Sequence, residues 1–303
     1  MLAALCMQAR NREVHLRLIA TSDIHGNYLP FDYISRQPGR GGLSRVETYV
    51  KAQREELGRE QVVVLDNGDI LQGQPTAYYY NFIDTTSTHF CAQALNYIGY
   101  DAATIGNHDI ETGHAVYDRW VGECNFPMLG ANVVSTSTGK PYWKPYTIIE
   151  RNSIRIGVLG MITPSIPKWL PNNLWSGLRF DDLVETARRW LPEMRYKEHA
   201  DIIVGLFHSG IGNQNARGRM FENAALQVAR MVPGFDIIFC GHDHREADLR
   251  IANVRGDSVL VLNPAANGMS VAQADIRLTL KRKAIVGKRV SGCLVNVADL
   301  QPD

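Results

Sequence analysis

Gln61-Val-Val-Val-Leu65 runs straight into Asp66-Asn-Gly-Asp69, and these two halves decide how the rest of the chain is read. An unbroken apolar run of this length, rich in β-branched residues, predicts a strand buried on both faces, as in a parallel sheet covered by helices. Asn67-Gly68 then turns the chain, and Asp69 stands at the exit of the strand. Open α/β sheets bind ligands outside the carboxyl ends of their strands, so an acid at this place is a candidate site residue.

Working outward, the same arrangement recurs. Val14-His-Leu-Arg-Leu-Ile-Ala20 leads to Asp23-Ile-His25, and Ala102-Ala-Thr-Ile105 leads to Gly106-Asn-His-Asp109. Asp201-Ile-Ile-Val-Gly-Leu-Phe207 ends on His208, and Phe235-Asp-Ile-Ile-Phe-Cys240 runs into Gly241-His-Asp-His244. Further strands are predicted over 154–159, 258–262 and 271–278. Helical patterns lie between them: one with Ser44 as N-cap and Glu47 three residues on, and others over 86–98, 181–197 and 220–231. The last stops at Pro233-Gly234. Alternating strands and helices predict an α/β core, and the strand-rich later part predicts one mixed sheet or two packed sheets. No repeat, low-complexity tract or interdomain linker divides the chain, so it reads as one domain over 14–303.

The residues at the strand ends offer carboxylate and amide oxygens and imidazole nitrogens but no thiolate, a donor set for hard or borderline divalent cations such as Mn, Zn, Fe or Co. Two cations need more ligands than one loop carries, and a carboxylate can bridge them. Asp69, in its Gly-rich turn, is the expected bridge. In an extended segment the two-residue spacing of Asp23 and His25, and of His242 and His244, would put each pair on one face. Five of the nine histidines, His25, His108, His208, His242 and His244, fall in these motifs. His15, His89, His114 and His199 read as ordinary surface or core residues.

With 32 basic against 31 acidic side chains, the composition gives no reason to expect a nucleic-acid polymer or an anionic membrane as partner. The five cysteines, Cys6, Cys91, Cys124, Cys240 and Cys293, form no CxxC pair and read as unpaired, mostly buried thiols. No apolar run is long enough for a membrane span. Residues 1–13 read either as a signal-peptide remnant or as a disordered N-terminus, so the expected location is periplasmic or exported, or cytoplasmic if no signal is present. Oligomeric state is not legible.

Taken together, the DxH, GD, GNHD, H and GHxH motifs resemble those of calcineurin-like metallophosphoesterases in order and spacing. Thr21-Ser-Asp-Ile-His-Gly-Asn27 with Phe31-Asp-Tyr33, and Asp66-Asn-Gly-Asp-Ile-Leu-Gln-Gly-Gln-Pro75, are similar to bacterial 2′,3′-cyclic-nucleotide 2′-phosphodiesterase/3′-nucleotidases within the 5′-nucleotidase family. So are Asp181-Asp-Leu-Val-Glu-Thr-Ala-Arg188 with Pro192-Glu-Met-Arg195, and Glu222-Asn-Ala-Ala225 ahead of Val232-Pro-Gly-Phe-Asp236. The resemblance implies a four-layer α/β/β/α sandwich, two mixed sheets flanked by helices, around two divalent metal ions. It implies Asp23, His25, Asp69 and His244 on one metal, and Asp69, Asn107, His208 and His242 on the other. His108 is implied as a catalytic group outside both sets, oriented by Glu111, where relatives commonly carry Asp. Such relatives also carry a C-terminal domain that stacks the nucleobase, and that domain is expected to be absent from this chain.

The expected reaction is hydrolysis of a small phosphate ester, a nucleotide 2′,3′-cyclic phosphodiester or 3′-monoester, by in-line attack of metal-activated water. His108 would hydrogen-bond the phosphoryl group or protonate the leaving oxygen. A 5′-nucleotidase or UDP-sugar hydrolase, a phosphatase or diesterase of non-nucleotide esters, and a metal-binding module without turnover are the alternatives. Tyr78-Tyr-Tyr80, Trp169 and Trp175 are aromatic candidates for substrate contact, or else pack under loops.

Overall fold

The computed structural model describes residues 11–282 and 284–303. In chain order the first half runs β1 (Arg12–Thr21), a short pair β2 (Phe31–Asp32) and β3 (Gln37–Pro38), α1 (Leu43–Leu57), β4 (Val62–Asp66), α2 (Pro75–Tyr78), α3 (Phe90–Ile98), β5 (Ala102–Thr104), α4 (Asn107–Ile110), α5 (His114–Glu123) and β6 (Met128–Leu129). The second half runs β7 (Val133–Ser135), β8 (Tyr146–Arg151), β9 (Ile154–Ile162), α6 (Ile166–Trp169), β10 (Leu178–Phe180), α7 (Leu183–Pro192), β11 (Ile202–His208), α8 (Ala225–Met231), β12 (Ile237–Cys240), β13 (Glu246–Ala252), β14 (Ser258–Pro264), β15 (Ser270–Lys281) and β16 (Ala284–Asn296).

Twelve of these strands form two six-stranded mixed sheets, ordered β16-β15-β1-β4-β5-β6 and β13-β14-β12-β11-β9-β8. In the first, β1, β4, β5 and β6 are parallel and β15–β16 is an antiparallel edge hairpin; in the second, β9, β11, β12 and β14 are parallel between antiparallel edges. The period of two sorts their side chains into layers. Leu16, Leu18, Val63 and Leu65 point from the first sheet into a core shared with Ile156, Val158, Val204, Leu206 and Phe239 of the second. Their neighbours Ile19, Val62 and Val64 face the other way, onto Val46 and Val50 of α1, Leu95 of α3 and Trp120 of α5. Leu159, Ile203 and Ile238 face Leu183, Ala187 and Val228 of α7 and α8. Three apolar layers thus separate four structural ones, α/β/β/α, and the continuous apolar strand runs follow from burial on both faces.

The expected strands appear within a few residues, while all four expected helical regions change at a boundary. α1 is entered through Gly42, not Ser44, whose hydroxyl is buried without a partner. The region 86–98 becomes helical only at Phe90, and 181–197 is α7 followed by a π-turn over Glu193–Lys197. The region 220–231 starts at Ala225, because the residues before it are held as a loop: Asn223 Oδ1 accepts Gly210 N–H (3.1 Å) and Ser209 Oγ donates to the Glu222 carbonyl (2.7 Å). Of residues 1–13, the first ten lie outside the described residues, while Arg12 and Glu13 already belong to β1, paired with Leu280 and Thr279. Among the described residues no helix is long and apolar enough to cross a membrane. Cys91 and Cys240 are buried free thiols, Cys124 is half-buried and Cys293 is exposed; Cys6 lies outside the described residues.

His89, read from sequence as unremarkable, is a fully buried joint. Its Nδ1 accepts Cys91 N–H at the start of α3 (3.1 Å), and its Nε2–H donates to Asn81 Oδ1 (2.9 Å). Burial, and then the nearby Arg119 charge, push its pKa down to about 4. An unfolded chain protonates this ring below about pH 6.5 and the folded one only near 4, so the unfolded state binds the extra proton in between. Stability from this group is therefore complete above pH 6.5 and falls as pH drops toward 4, by on the order of 3 kcal/mol. Urea denaturation at pH 7 and pH 4.5 should show a steeper loss for the parent than for His89→Asn; equal losses would remove His89 from the account.

Candidate metal centre

The site forms where the carboxyl ends of β1, β4 and β5 meet those of β11 and β12 from the opposite sheet. Backbone groups staple the loops to one another: Asp23 N–H to the Gly68 carbonyl (2.9 Å), His25 N–H to the Asp69 carbonyl (2.9 Å) and Gly26 N–H to the Ile70 carbonyl (3.1 Å). The loop after β12 closes from the other side, with His242 N–H donating to the Asp23 carboxylate (3.0 and 3.2 Å). This approach needs Gly241, where a Cβ would overlap Ser22 Oγ and the Asp23 carboxylate.

Asp23 (φ 53°), His25 (φ 48°), Asp69 (φ 57°), His242 (φ 74°) and His244 (φ 52°) all adopt left-handed backbone. The expectation that the two-residue spacings act through an extended segment is therefore corrected: Asp23 and His25 converge through a tight turn, and a like turn sends His242 and His244 to different clusters. Residues other than glycine pay roughly 1–3 kcal/mol each for such conformations and keep them only where the surroundings over-determine them. The backbone staples do that here.

Two clusters result, Asp23–His25–His244 and Asp69–His208–His242, each with its ligand-type atoms within 4.8 Å of one another. In the first, His244 Nε2 lies 3.3 Å and His25 Nε2 3.9 Å from Asp23 Oδ1, and the two Nε2 atoms are 2.9 Å apart. In the second, His208 Nε2 lies 3.1 Å from both Asp69 Oδ2 and Asn107 Oδ1. The structure thus brings together all seven residues expected as ligands, with Asp69 grouped with the second cluster.

Three of the imidazoles are oriented by contacts that also choose the free nitrogen. His208 Nδ1–H donates to the Asn67 carbonyl (2.7 Å), His25 Nδ1–H to Gln72 Oε1 (3.1 Å) and His242 Nε2–H to Glu222 Oε1 (3.1 Å). Such contacts set the tautomer and aim the other nitrogen at a metal. His242 Nδ1 is left buried with no hydrogen-bond partner. An orphaned buried nitrogen, beside paired imidazole nitrogens and carboxylates without any thiolate, fits a divalent cation.

The electrostatics show how strongly these groups depend on one another. Burial would lower the His208 pKa, but the Asp69 and Asp23 charges override it and hold the ring up at about 10. Burial likewise opposes ionisation of Asp69, and the His208 charge overcomes it, keeping the carboxyl well below its ordinary range. Burial pushes His25 down; burial and the His208 charge push His242 down; the hydrogen bond to Asp23 raises His244.

His108 belongs to neither cluster. Its backbone N–H donates to Asp69 Oδ1 (2.7 Å), its ring lies 5.5 Å from that of His25, and its Nδ1–H donates to Glu111 Oε2 (2.6 Å). Of the aromatic candidates, Trp169 stacks on His242 with ring centroids 5.5 Å apart. Trp175 packs against the core and donates Nε1–H to the Leu170 carbonyl (3.0 Å). His15, His114 and His199 join neither cluster.

Sequence reasoning missed the supporting groups. Gln72 and Glu222 lie outside the five strand-end motifs, in stretches that carried the family resemblance but no assigned role, and the Asn67 contact comes from a backbone carbonyl, which any residue would supply. Asp109 is the largest omission. Its carboxylate accepts four backbone N–H bonds, from Asp69, Ile70 and Leu71 (2.9 Å each) and from Gly106 (2.8 Å), and so locks the Asp69 loop. Asp109→Asn turns an amide NH2 toward donors and should cost about 3 kcal/mol or more. Urea melts would show this, and a change under about 1 kcal/mol would count against the clamp.

Residues 16–246 match the family model described as calcineurin-like phosphoesterase. Over 248 residues the chain is 34% identical to the trifunctional nucleotide phosphoesterase protein YfkN of Bacillus subtilis, covering 77% of this chain and 17% of that protein. It is 33% identical to a 2′,3′-cyclic-nucleotide 2′-phosphodiesterase/3′-nucleotidase of Yersinia enterocolitica, covering 78% of this chain and 37% of the relative. The chain therefore spans well under half the length of these curated relatives. The crystal structure of the calcineurin-like phosphoesterase YfkN from Bacillus subtilis superposes with a TM-score of 0.83 at 29% identity, over 95% of this chain and 92% of that one.

Proposed function

The chain belongs to the calcineurin-like phosphoesterase family, and on that premise we propose that it hydrolyses phosphate esters of nucleosides, 2′,3′-cyclic diesters and 3′-monoesters first among them. The observation that carries this reading is two adjacent His/Asp clusters with a carboxylate-oriented histidine beside both and inside neither. Asp23, His25, Asp69 and His244 would hold one divalent cation, and Asp69, Asn107, His208 and His242 the other. Asp69 would be the shared residue; in support, its Oδ2 faces His208 and its backbone carbonyl accepts His25 N–H, which keeps the two loops side by side. Two cations so held would supply Lewis acidity at phosphoryl oxygens and a water acidic enough to serve as nucleophile near neutral pH. The nitrogen and oxygen donors suit Mn, Zn, Fe or Co.

The chain's own contribution is orientation and proton transfer. The Asn67 carbonyl, Gln72 and Glu222 fix the imidazole tautomers. His108 Nδ1 is engaged by Glu111, which leaves Nε2 to bond a phosphoryl oxygen or to deliver a proton to the leaving oxygen. Phosphate release from 2′,3′-cyclic AMP, 3′-AMP, 5′-AMP and UDP-glucose, and nitrophenol release from bis(p-nitrophenyl) phosphate, are measured with added Mn²⁺ and again with chelator. Chelator-sensitive turnover preferring the first two substrates is expected. A preference for 5′-AMP or UDP-glucose would reassign the substrate. No turnover by protein carrying two cations per chain would leave only a binding module.

A further inference from the structure

We propose that this chain itself binds the leaving group of the ester, as a flat heteroaromatic base, in the cavity beside His108 walled by Tyr78 and Phe82. The inference rests on the reading of the site as a phosphoesterase and adds where the organic half of the substrate sits. In an in-line displacement the nucleophile and the leaving oxygen lie on opposite sides of phosphorus. A proton donor to that oxygen marks the side on which the leaving group departs. His108 lies outside both cation clusters, and next to it a cavity of about 640 Å³ opens, lined by His108, Glu111, Gln72, Ile34, Tyr78 and Phe82. That volume falls in the range of roughly 300–1,000 Å³ typical of small-molecule sites.

The wall has the character of a base platform. Tyr78 and Phe82 are four residues apart on one helical stretch, with ring centroids 5.1 Å apart and planes tilted by 57°. They are 60% and 47% exposed, and Ile34 beside them is 68% exposed. Contiguous apolar exposure of this kind marks binding surface rather than packing. The platform is also held rigid. Asn81, which precedes Phe82 in the same turn, is buried, donating Nδ2–H to the Leu71 carbonyl (2.7 Å) and accepting from His89 (2.9 Å). Rings set on a fixed turn, with Gln72 and Glu111 as polar groups along the same cavity, fit a planar ring bearing polar edges.

The test is adenosine binding to the full chain by calorimetry, with added Mn²⁺ and with chelator, alongside steady-state turnover. The parent, the double variant Tyr78→Ala/Phe82→Ala, the conservative Phe82→Tyr and the surface control Tyr97→Ala are compared. Stacking is worth about 1–3 kcal/mol per base, so the double variant should bind adenosine at least about fivefold more weakly in both conditions. Phe82→Tyr and Tyr97→Ala should bind like the parent. For 3′-AMP the double variant should raise KM by a similar factor with kcat little changed, and it should leave kcat/KM for glycerol 2-phosphate as it was. Equal adenosine affinity in parent and double variant, or no binding by the parent, overturns the proposal. So does a parent dimer that dissociates in the double variant without adenosine binding, which assigns the face to a second copy. If adenosine binding behaves as expected while no phosphate ester is turned over, the functional reading falls and the base site stands. Turnover indifferent to the double variant is the reverse case.

Discussion

Asp69→Ala is expected to leave the protein with fewer than two bound cations per chain and to lower kcat/KM by roughly a thousandfold or more. We propose Asp69 as the carboxylate shared by the two cation sites: its Oδ2 faces His208, its Oδ1 receives His108 N–H, and its backbone carbonyl accepts His25 N–H beside the first cluster. Cations in such a site contribute several kcal/mol at the transition state, and each 1.4 kcal/mol or so is tenfold in rate. The substitution also strips a buried partner from His208, a change that can cost about 3–5 kcal/mol of stability, so Asp69→Asn is the companion that preserves shape. Elemental analysis of both proteins, folded by circular dichroism, decides the matter. Full stoichiometry of two cations in Asp69→Ala would end the assignment of Asp69 as the shared ligand.

His108→Ala should behave differently: cation content unchanged, kcat lower by about 10²–10⁴. The side chain is partly exposed and belongs to neither cluster, so fold and metal loading should survive its loss. The role also predicts a leaving-group dependence. A nucleoside oxygen needs a proton as it departs, whereas p-nitrophenolate does not. The loss should therefore be large for 3′-AMP and much smaller for bis(p-nitrophenyl) phosphate. Equal losses would make His108 a phosphoryl hydrogen-bond donor rather than an acid, and loss of metal would remove it from the catalytic account altogether. Glu111→Gln should give a smaller drop in the same direction, since it acts through the His108 ring.

Much of the architecture could be read along the chain, for local reasons. Val62 to Leu65 is apolar on both faces because helices cover one side and a second sheet the other, and that leaves an unbroken run in the sequence. β16 left no such signal: it is an edge strand, largely in solvent, whose order depends on its ladder to β15. The start of α1 was misplaced because Ser44 has capping chemistry, yet the chain enters the helix through Gly42, whose φ of 85° suits glycine.

The sequence by itself determined that acidic, amide and imidazole side chains stand immediately after strands, and so that they share one edge of an α/β sandwich. Only the tertiary structure decided which of them meet. Asp23 and His242 are far apart in the chain and sit on opposite sheets, joined because Gly241 lets its backbone come up against the Ser22 and Asp23 side chains. Left-handed turns, rather than pleats, aim Asp23, His25 and His244 at one point, and loop-to-loop backbone bonds that no residue type announces keep those turns in place. The same holds for the Asn67 carbonyl on His208 and for the Tyr78–Phe82 wall beside His108. Each depends on where the backbone runs in space, and a pattern along the chain carries only the side chains.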